Sequence, residues 1–365
     1  RRHTRYADRS RGLGDVYKRQ IYAQISDSHS RARAHGRMGA AHWYLGDVES
    51  VEASYTEALR RRREVQDRMM EGATLNGMGT LHYWLIGDLE AALDWYGQAI
   101  ELRRAIGDQS GLATSLTYKA NVQRDLGQLV EARSLFEEAR PILMDHGSAS
   151  QVVENIYGTA GLYEVIGRNT DAIRLYDEAL ELCLGASDCG WGPLLLIEKG
   201  EIQRRLGMIH EALATLAAAE ALLREAPDPE LETSLWMTRG IASQDLGDQD
   251  AARDHFVRAR QLAIESGDRT RLCDVLTLIS KFYRRLGAFD RARGAAENAL
   301  ELARELENPD LERAALIALA DVEIGAGSAE AAHDLFAAAL ELDEATGVKS
   351  RQAEDLLGKG AALSL

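Results

Sequence analysis

The sequence predicts an all-α protein, an α-α superhelix of stacked helical hairpins, on three observations. The first is a glycine that recurs along the 365 residues at Gly46, Gly87, Gly127, Gly167, Gly207, Gly247, Gly287 and Gly327, spaced by 41 residues once and by 40 thereafter. The second is a pair of small-residue columns in register with it. Five residues after the glycine come Ala92, Ala132, Ala172, Ala212, Ala252, Ala292 and Ala332, with Val51 in the first copy. Twelve after it come Ala58, Ala99, Ala139, Ala179, Ala219, Ala259, Ala299 and Ala339 without a break. The third is composition: only 5 prolines, in a chain whose repeats are rich in Ala, Leu, Glu and Arg, all good helix formers. Such a period marks an array in which each unit leaves an apolar face that only its neighbour can cover, a solenoid.

Each repeat holds two apolar-periodic segments, each about 16 residues long, which read as helices on either side of the marker glycine. The glycine closes the first helix as a left-handed cap. Asp47, Asp88, Asp248 or Ser328 directly after it can accept from the first free N–H groups of the second helix. A second punctuation point recurs at Gly107, Gly147, Gly267 and Gly347, with Ser187 and Pro227 in the same role, and joins one hairpin to the next. Seven residues before each marker the residue is small: Gly39, Thr80, Ala120, Ala160, Gly200, Gly240, Ser280 and Ala320. Glycine inside a helix costs about 1 kcal/mol relative to alanine, so Gly39, Gly200 and Gly240 predict that two helix backbones approach closely there. Between the alanine columns runs a mostly aromatic one, Tyr55, Tyr96, Phe136, Tyr176, Leu216, Phe256, Ala296 and Phe336, predicted to fill the core. Pro141 falls inside a second helix and should kink it. Cys189-Gly190-Trp191-Gly192-Pro193 reads as an inter-repeat turn, with Pro193 starting a helix.

The two ends differ from this pattern. Residues 1–20 carry seven basic and two acidic side chains and little apolar periodicity. Asp15 to Gln20 resembles a translation of the transposon end used to prepare sequencing libraries, and Leu363-Ser364-Leu365 matches the start of its reverse complement. Residues 1–20 are therefore expected to be a non-native, adapter-derived segment rather than a basic arm. Residues 21–365 are expected to form one array of about eight repeats, truncated at both ends and lacking polar capping repeats.

Composition excludes several functions. A net charge of −15 argues against a nucleic-acid surface, which needs clustered Lys and Arg to displace counterions. No apolar run approaches the roughly 18 residues of a membrane span. Three cysteines make no disulfide framework, and the six-residue spacing of Cys183 and Cys189 predicts reduced, half-buried thiols in a cytoplasmic setting. The chain has no P-loop, no G-x-S-x-G and no H-E-x-x-H. Its histidines, His42 and His82 among them, lack the carboxylate or cysteine partners of a metal site. Neither a cofactor nor an enzymatic activity is expected.

A small residue, tyrosine-like residues shortly after it, a Gly-Asp turn and then A-x3-F/Y-x2-A-L resemble the tetratricopeptide repeat. The second repeat shows this best, in GTLHYWLIGDLEAALDWYGQAIEL, and the resemblance spans about Ile21 to Leu365. Two features depart from the family pattern: its period is about 34 where this one is 40, and its early tryptophan is missing. Variants with the longer period resemble the arrays of kinesin light chains, polarity adaptors and bacterial signalling ATPases, transcription regulators and cyclase-linked sensors. The resemblance implies a right-handed solenoid whose first helices line a concave groove that binds extended peptides or helices.

Carried onto this sequence, the groove positions form two zones. One holds Trp43, Tyr44, Met78, Leu81, Trp84, Leu85, Tyr118 and Tyr157 as an aromatic pocket for apolar anchors. The other holds Arg124, Arg204, Arg205, Lys281, Arg284 and Arg285, interspersed with Glu198, Glu201, Asp125 and Asp245, as a mixed-charge tract able to clamp acidic groups through Arg forks. Alternatively, the tryptophans fill gaps in long hairpins; for the arginines, pairing with neighbouring carboxylates as a solvated face is the favoured reading. Asn121 occupies a position where related arrays hold a peptide backbone, while no full carboxylate clamp is present. The expected function is a protein-interaction scaffold, without nucleic-acid or membrane partners, in the sensor or regulatory region of a larger bacterial signalling protein. The alternatives are the regulatory arm of a cyclase, kinase or signalling ATPase, and a helical-repeat response-regulator phosphatase.

Overall fold

The computed structural model describes residues 28–346 apart from 44, 46, 187 and 188. The segment 1–27, both ends of the expected array and Tyr44 lie outside the described residues. The chain divides into two compact units, one ending at Gly190 and one beginning at Trp191.

The described part of the first unit holds four hairpins: α1 (Ser28–Trp43) with α2 (Val48–Glu64), α3 (Arg68–Leu81) with α4 (Leu89–Ile106), α5 (Gln109–Asp125) with α6 (Leu129–His146), and α7 (Ala149–Val165) with α8 (Asn169–Leu184). The second unit repeats the pattern: α9 (Gly192–Arg205) with α10 (Ile209–Glu225), α11 (Pro229–Leu246) with α12 (Gln249–Ser266), α13 (Arg269–Arg285) with α14 (Phe289–Glu305), and α15 (Pro309–Ala326) with α16 (Ala329–Thr346). Within each unit the first helices of successive hairpins also touch one another, α3 with α5 and α5 with α7, then α9 with α11, α11 with α13 and α13 with α15. Among the described residues the secondary structure is entirely helical.

The turns follow from local chemistry. Gly87, Gly127, Gly167, Gly207, Gly247, Gly287 and Gly327 all take φ between 70° and 90°, the left-handed region that the helix-closing role requires. Asp47, Asp88 and Asp248 accept from the N–H three residues on, as expected. A second set of caps opens the first helices: Asp67, Asp108, Ser148, Asp228, Asp268 and Asn308. The inter-repeat punctuation also extends further than glycine does. Gln66 at φ 55° and Glu307 at φ 51° occupy the same column as Gly107 and Gly267 and adopt the same conformation.

The alanine columns are the tightest part of the packing: Val51 and every alanine of both columns are 0% exposed. The aromatic column is buried with them, Tyr96, Phe136 and Tyr176 at 1% and Phe256 at 2%. The close approach at Gly39, Gly200 and Gly240 differs in kind from the backbone-to-backbone contact expected. A Cβ at Gly39 would lie 2.4 Å from the Tyr55 ring, one at Gly240 2.5 Å from Phe256, and one at Gly200 2.9 Å from Leu216. Each glycine therefore accommodates the column side chain of its own hairpin. In the second hairpin this partner of Tyr96 is Gly79, at 2.6 Å, rather than Thr80.

Cys183 and Cys189 are bonded to each other, with Cα atoms 5.0 Å apart, where reduced thiols were expected from their spacing. The turn after α8, in which Ala186 donates to the Cys183 carbonyl at 3.2 Å, starts the reversal that brings them together. Cys273 is a free, buried thiol that donates to the Ala299 carbonyl at 3.3 Å. Helix α6 runs continuously through Pro141, so the proline does not interrupt it. Among the described residues no helix is long and apolar enough to cross a membrane.

Candidate functional site

The first irregularity in the repeat marks the site. The single spacing of 41 places one extra residue between Gln66 and Gly87. The chain absorbs it in a π-helical turn, His82–Ile86, between the end of α3 and the left-handed Gly87, where Asp88 donates back to the His82 carbonyl at 2.9 Å. A π turn widens the helix by one residue and re-aims its side chains, which is why such turns concentrate at functional sites. Here it presents Tyr83 and Trp84, whose rings lie 4.6 Å apart. Trp84 is 67% exposed, unusual for so large an apolar side chain.

Two cavities share Thr80 and Tyr118 in their walls, and the smaller of them is bounded by this turn. The larger, about 320 Å³, is lined by Trp43 and Tyr55 on one side and by Asn76, Thr80, Arg103, Thr114 and Tyr118 on the other. The smaller, about 170 Å³, is lined by Thr80, Tyr83, Trp84, Tyr96, Tyr118, Asn121 and Glu154.

A chain of polar contacts holds these walls. Arg103 is buried and donates to the Gly111 carbonyl and, at 3.1 Å, to Ser115, which in turn donates to Asn76 at 2.8 Å. Thr80 and Tyr96 share a hydrogen bond of 3.0 Å, and the Tyr83 hydroxyl donates to Asp125. The carbonyl oxygen of Asn121 accepts from Arg124 at 3.3 Å. No described residue bonds the Asn121 amide nitrogen, which leaves its N–H groups available to the cavity. Glu154 lies on α7, in the same cavity wall as Tyr118 and the other rings. Burial pushes its carboxyl up to about 7.

Of the residues expected in the first zone, Trp43, Trp84 and Tyr118 line these cavities, joined by Asn121, which was expected to hold a peptide backbone; Arg124, expected in the mixed-charge zone, braces Asn121 instead. Tyr157 packs against Tyr176, ring centroids 6.1 Å apart, and lines neither cavity. Met78 and Leu81, expected in the groove, are instead buried at 3% and 0%, because their helix turns them toward the packed interior, and Leu85 is half-buried.

The second zone is arranged differently. Arg204 forks onto Glu201 at 2.6 and 2.8 Å and reaches Asp245 at 2.5 Å, and Arg285 meets the other oxygen of Asp245 at 3.4 Å. Arg284 lies 3.7 Å from Asp321 and Arg205 4.0 Å from Glu201, while Lys281 is exposed. These arginines face carboxylates of their own unit, the solvated-face arrangement. Sequence reasoning missed Tyr83, Tyr96, Arg103 and Glu154 as wall residues. The 41-residue spacing was the available signal for Tyr83.

Two overlapping stretches, residues 30–105 and 70–145, match the family described as tetratricopeptide repeat. The apo form of the quorum sensor NprR from B. thuringiensis superposes with a TM-score of 0.62 at 15% identity, over 93% of this chain and 94% of that one. Aspartyl phosphate phosphatase F from Bacillus subtilis gives 0.60 at 16% identity, over 80% and 74%. A signal-transduction ATPase with numerous domains and a tetratricopeptide repeat sensor, from Pyrococcus horikoshii, gives 0.59 at 14% identity, and this chain spans 94% of itself and 53% of that protein. At these identities the likeness is one of fold. No curated protein sequence matches the chain significantly.

Proposed function

We propose that this chain, a tetratricopeptide-repeat protein, is a non-catalytic recognition module that binds an extended segment of a partner protein in the two cavities of its first unit. The observation that carries this reading is the pair of adjoining cavities walled by Trp43, Trp84, Tyr118 and Asn121. Large aromatic side chains that are only partly covered supply binding energy when an apolar anchor completes their burial. A side-chain amide with free N–H groups fixes an extended backbone through its carbonyls. Recognition then needs a preformed surface and no bond chemistry.

The likeness to a quorum sensor and to an ATPase carrying a repeat sensor supports a place in signalling. The second of these also supports a second reading, in which the array is the regulatory arm of an enzyme, because it matches about half of that protein.

The test is selection from a random peptide library displayed on phage, with the whole chain as bait and Trp84→Ala as counter-bait. Trp84 is exposed, so its removal should leave the helical circular-dichroism signal intact. Sequences enriched by the parent chain and lost on the variant support the reading. Enrichment that is equal on both baits overturns it.

A further inference from the structure

We propose that the smaller cavity is a cation pocket, built to take the ammonium or guanidinium group of a lysine or arginine side chain between four aromatic rings and the Glu154 carboxylate. This deepens the peptide-binding reading and rests on it. The walls come from three places in the chain: Tyr83 and Trp84 from the π turn, Tyr96 from α4, and Tyr118 from α5. Tyr96 and Tyr118 meet edge to face, centroids 5.7 Å apart, and Tyr83 and Trp84 lie tilted at 4.6 Å. Ring faces carry negative partial charge, so a site walled by several of them favours a cation over a neutral group of equal size.

The acid in this box has no counter-ion. Glu154 makes no ion pair with any described residue, and the group beside it is the neutral Tyr118 hydroxyl, which shares the cavity wall with it. The nearby cations are committed elsewhere: Arg124 to Asn121 and Asp125, Arg103 to Gly111 and Ser115 in the neighbouring cavity. The other groups facing Glu154, Tyr96 and Thr80, bond to each other. A half-buried carboxylate without a cation is unfavourable, which is what holds its proton up to pH about 7. A cation brought in by a ligand supplies the missing charge, and the Asn121 amide can fix the adjoining backbone. The volume, about 170 Å³, is below the roughly 300–1,000 Å³ of pockets that hold whole small-molecule ligands, and suits one side chain.

The probes are n-butylguanidinium, n-butylammonium and the neutral valeramide, each titrated into the whole chain at fixed ionic strength near pH 8. Binding is read as saturation transfer from protein aromatic protons to the butyl protons. The two cations should bind at least tenfold more tightly than valeramide. Glu154→Gln, which keeps shape and removes the charge, should abolish that preference while the helical circular-dichroism signal stays unchanged. Equal binding of cation and neutral probe, or a cation preference that survives in Glu154→Gln, overturns the proposal. The outcome separates from that of the peptide selection. Cation binding without enriched peptides leaves the pocket standing and removes the peptide reading. Enriched peptides that lack lysine and arginine do the reverse.

Discussion

The two units obey one packing grammar and use its free positions in opposite ways. Both bury the same alanine columns to 0% and close their first helices on left-handed glycines. The grammar leaves open the last turn of each first helix. In the first unit those positions carry Trp43, Trp84 and Arg124, and beside them an acid lacks a counter-ion. In the second they carry Arg204, Arg284 and Arg285, and Asp245 already holds two guanidinium groups. Unsatisfied groups in a cavity invite a ligand, whereas charges paired within the fold mainly keep the surface hydrated.

The shared grammar predicts the largest effects, and predicts them equally for both units. Phe136→Ala and Phe256→Ala should each lower stability by about 3–5 kcal/mol in urea unfolding, because each empties a fully buried ring site. A cost confined to one of them would break the equivalence of the two cores.

The next effect centres on Glu154 in the first unit, although burial also raises the Asp274 carboxyl in the second. The Glu154 carboxyl sits near 7 in the folded chain against an ordinary 4.5. Below pH 4.5 it is neutral whether folded or unfolded and costs nothing. Between pH 4.5 and 7 the unfolded chain ionises it and the folded chain does not, so stability falls as pH rises, and the loss is complete above 7. Glu154→Gln should therefore raise stability at pH 8 by about 3 kcal/mol and leave it unchanged at pH 4. Thermal melts at the two pH values check this.

A smaller effect is expected in the second unit. A double-mutant cycle on Arg204 and Asp245 should give a coupling of about 1 kcal/mol that shrinks in 0.5 M salt, as partly exposed ion pairs do. The smallest change is a gain. Glu307→Gly relieves a side chain held at φ 51° and should add about 0.5 kcal/mol.

The fold could be read from the sequence because its determinants are local and repeated: a glycine that must be left-handed, and alanines at the tightest contacts. The caps Asp67, Asp108, Ser148, Asp228, Asp268 and Asn308 were as regular and were readable in the same way. Gln66 and Glu307 escaped because their conformation is imposed by the turn rather than by their own preference. Trp43, Trp84, Tyr118 and Asn121 were placed at groove positions through the resemblance, and all four line the two cavities. Glu154 was not, because an acid on a helix looks solvated until the rings from α4, α5 and the π turn close over it. The pairing of Arg204 with Asp245 depends on which neighbouring helix faces it, which register does not reveal. The one break in the period, 41 instead of 40, was visible from the start, and its consequence needed the π turn to be seen.

The central claim is that ligand recognition belongs to the first unit. Amide hydrogen exchange on the whole chain, with and without a saturating selected peptide, tests it most directly. The account predicts new protection at residues 80–86 and 118–124 and none at 201–205, 245 or 281–285. Protection confined to the second unit's arginine ladder, with the π turn unchanged, would contradict it.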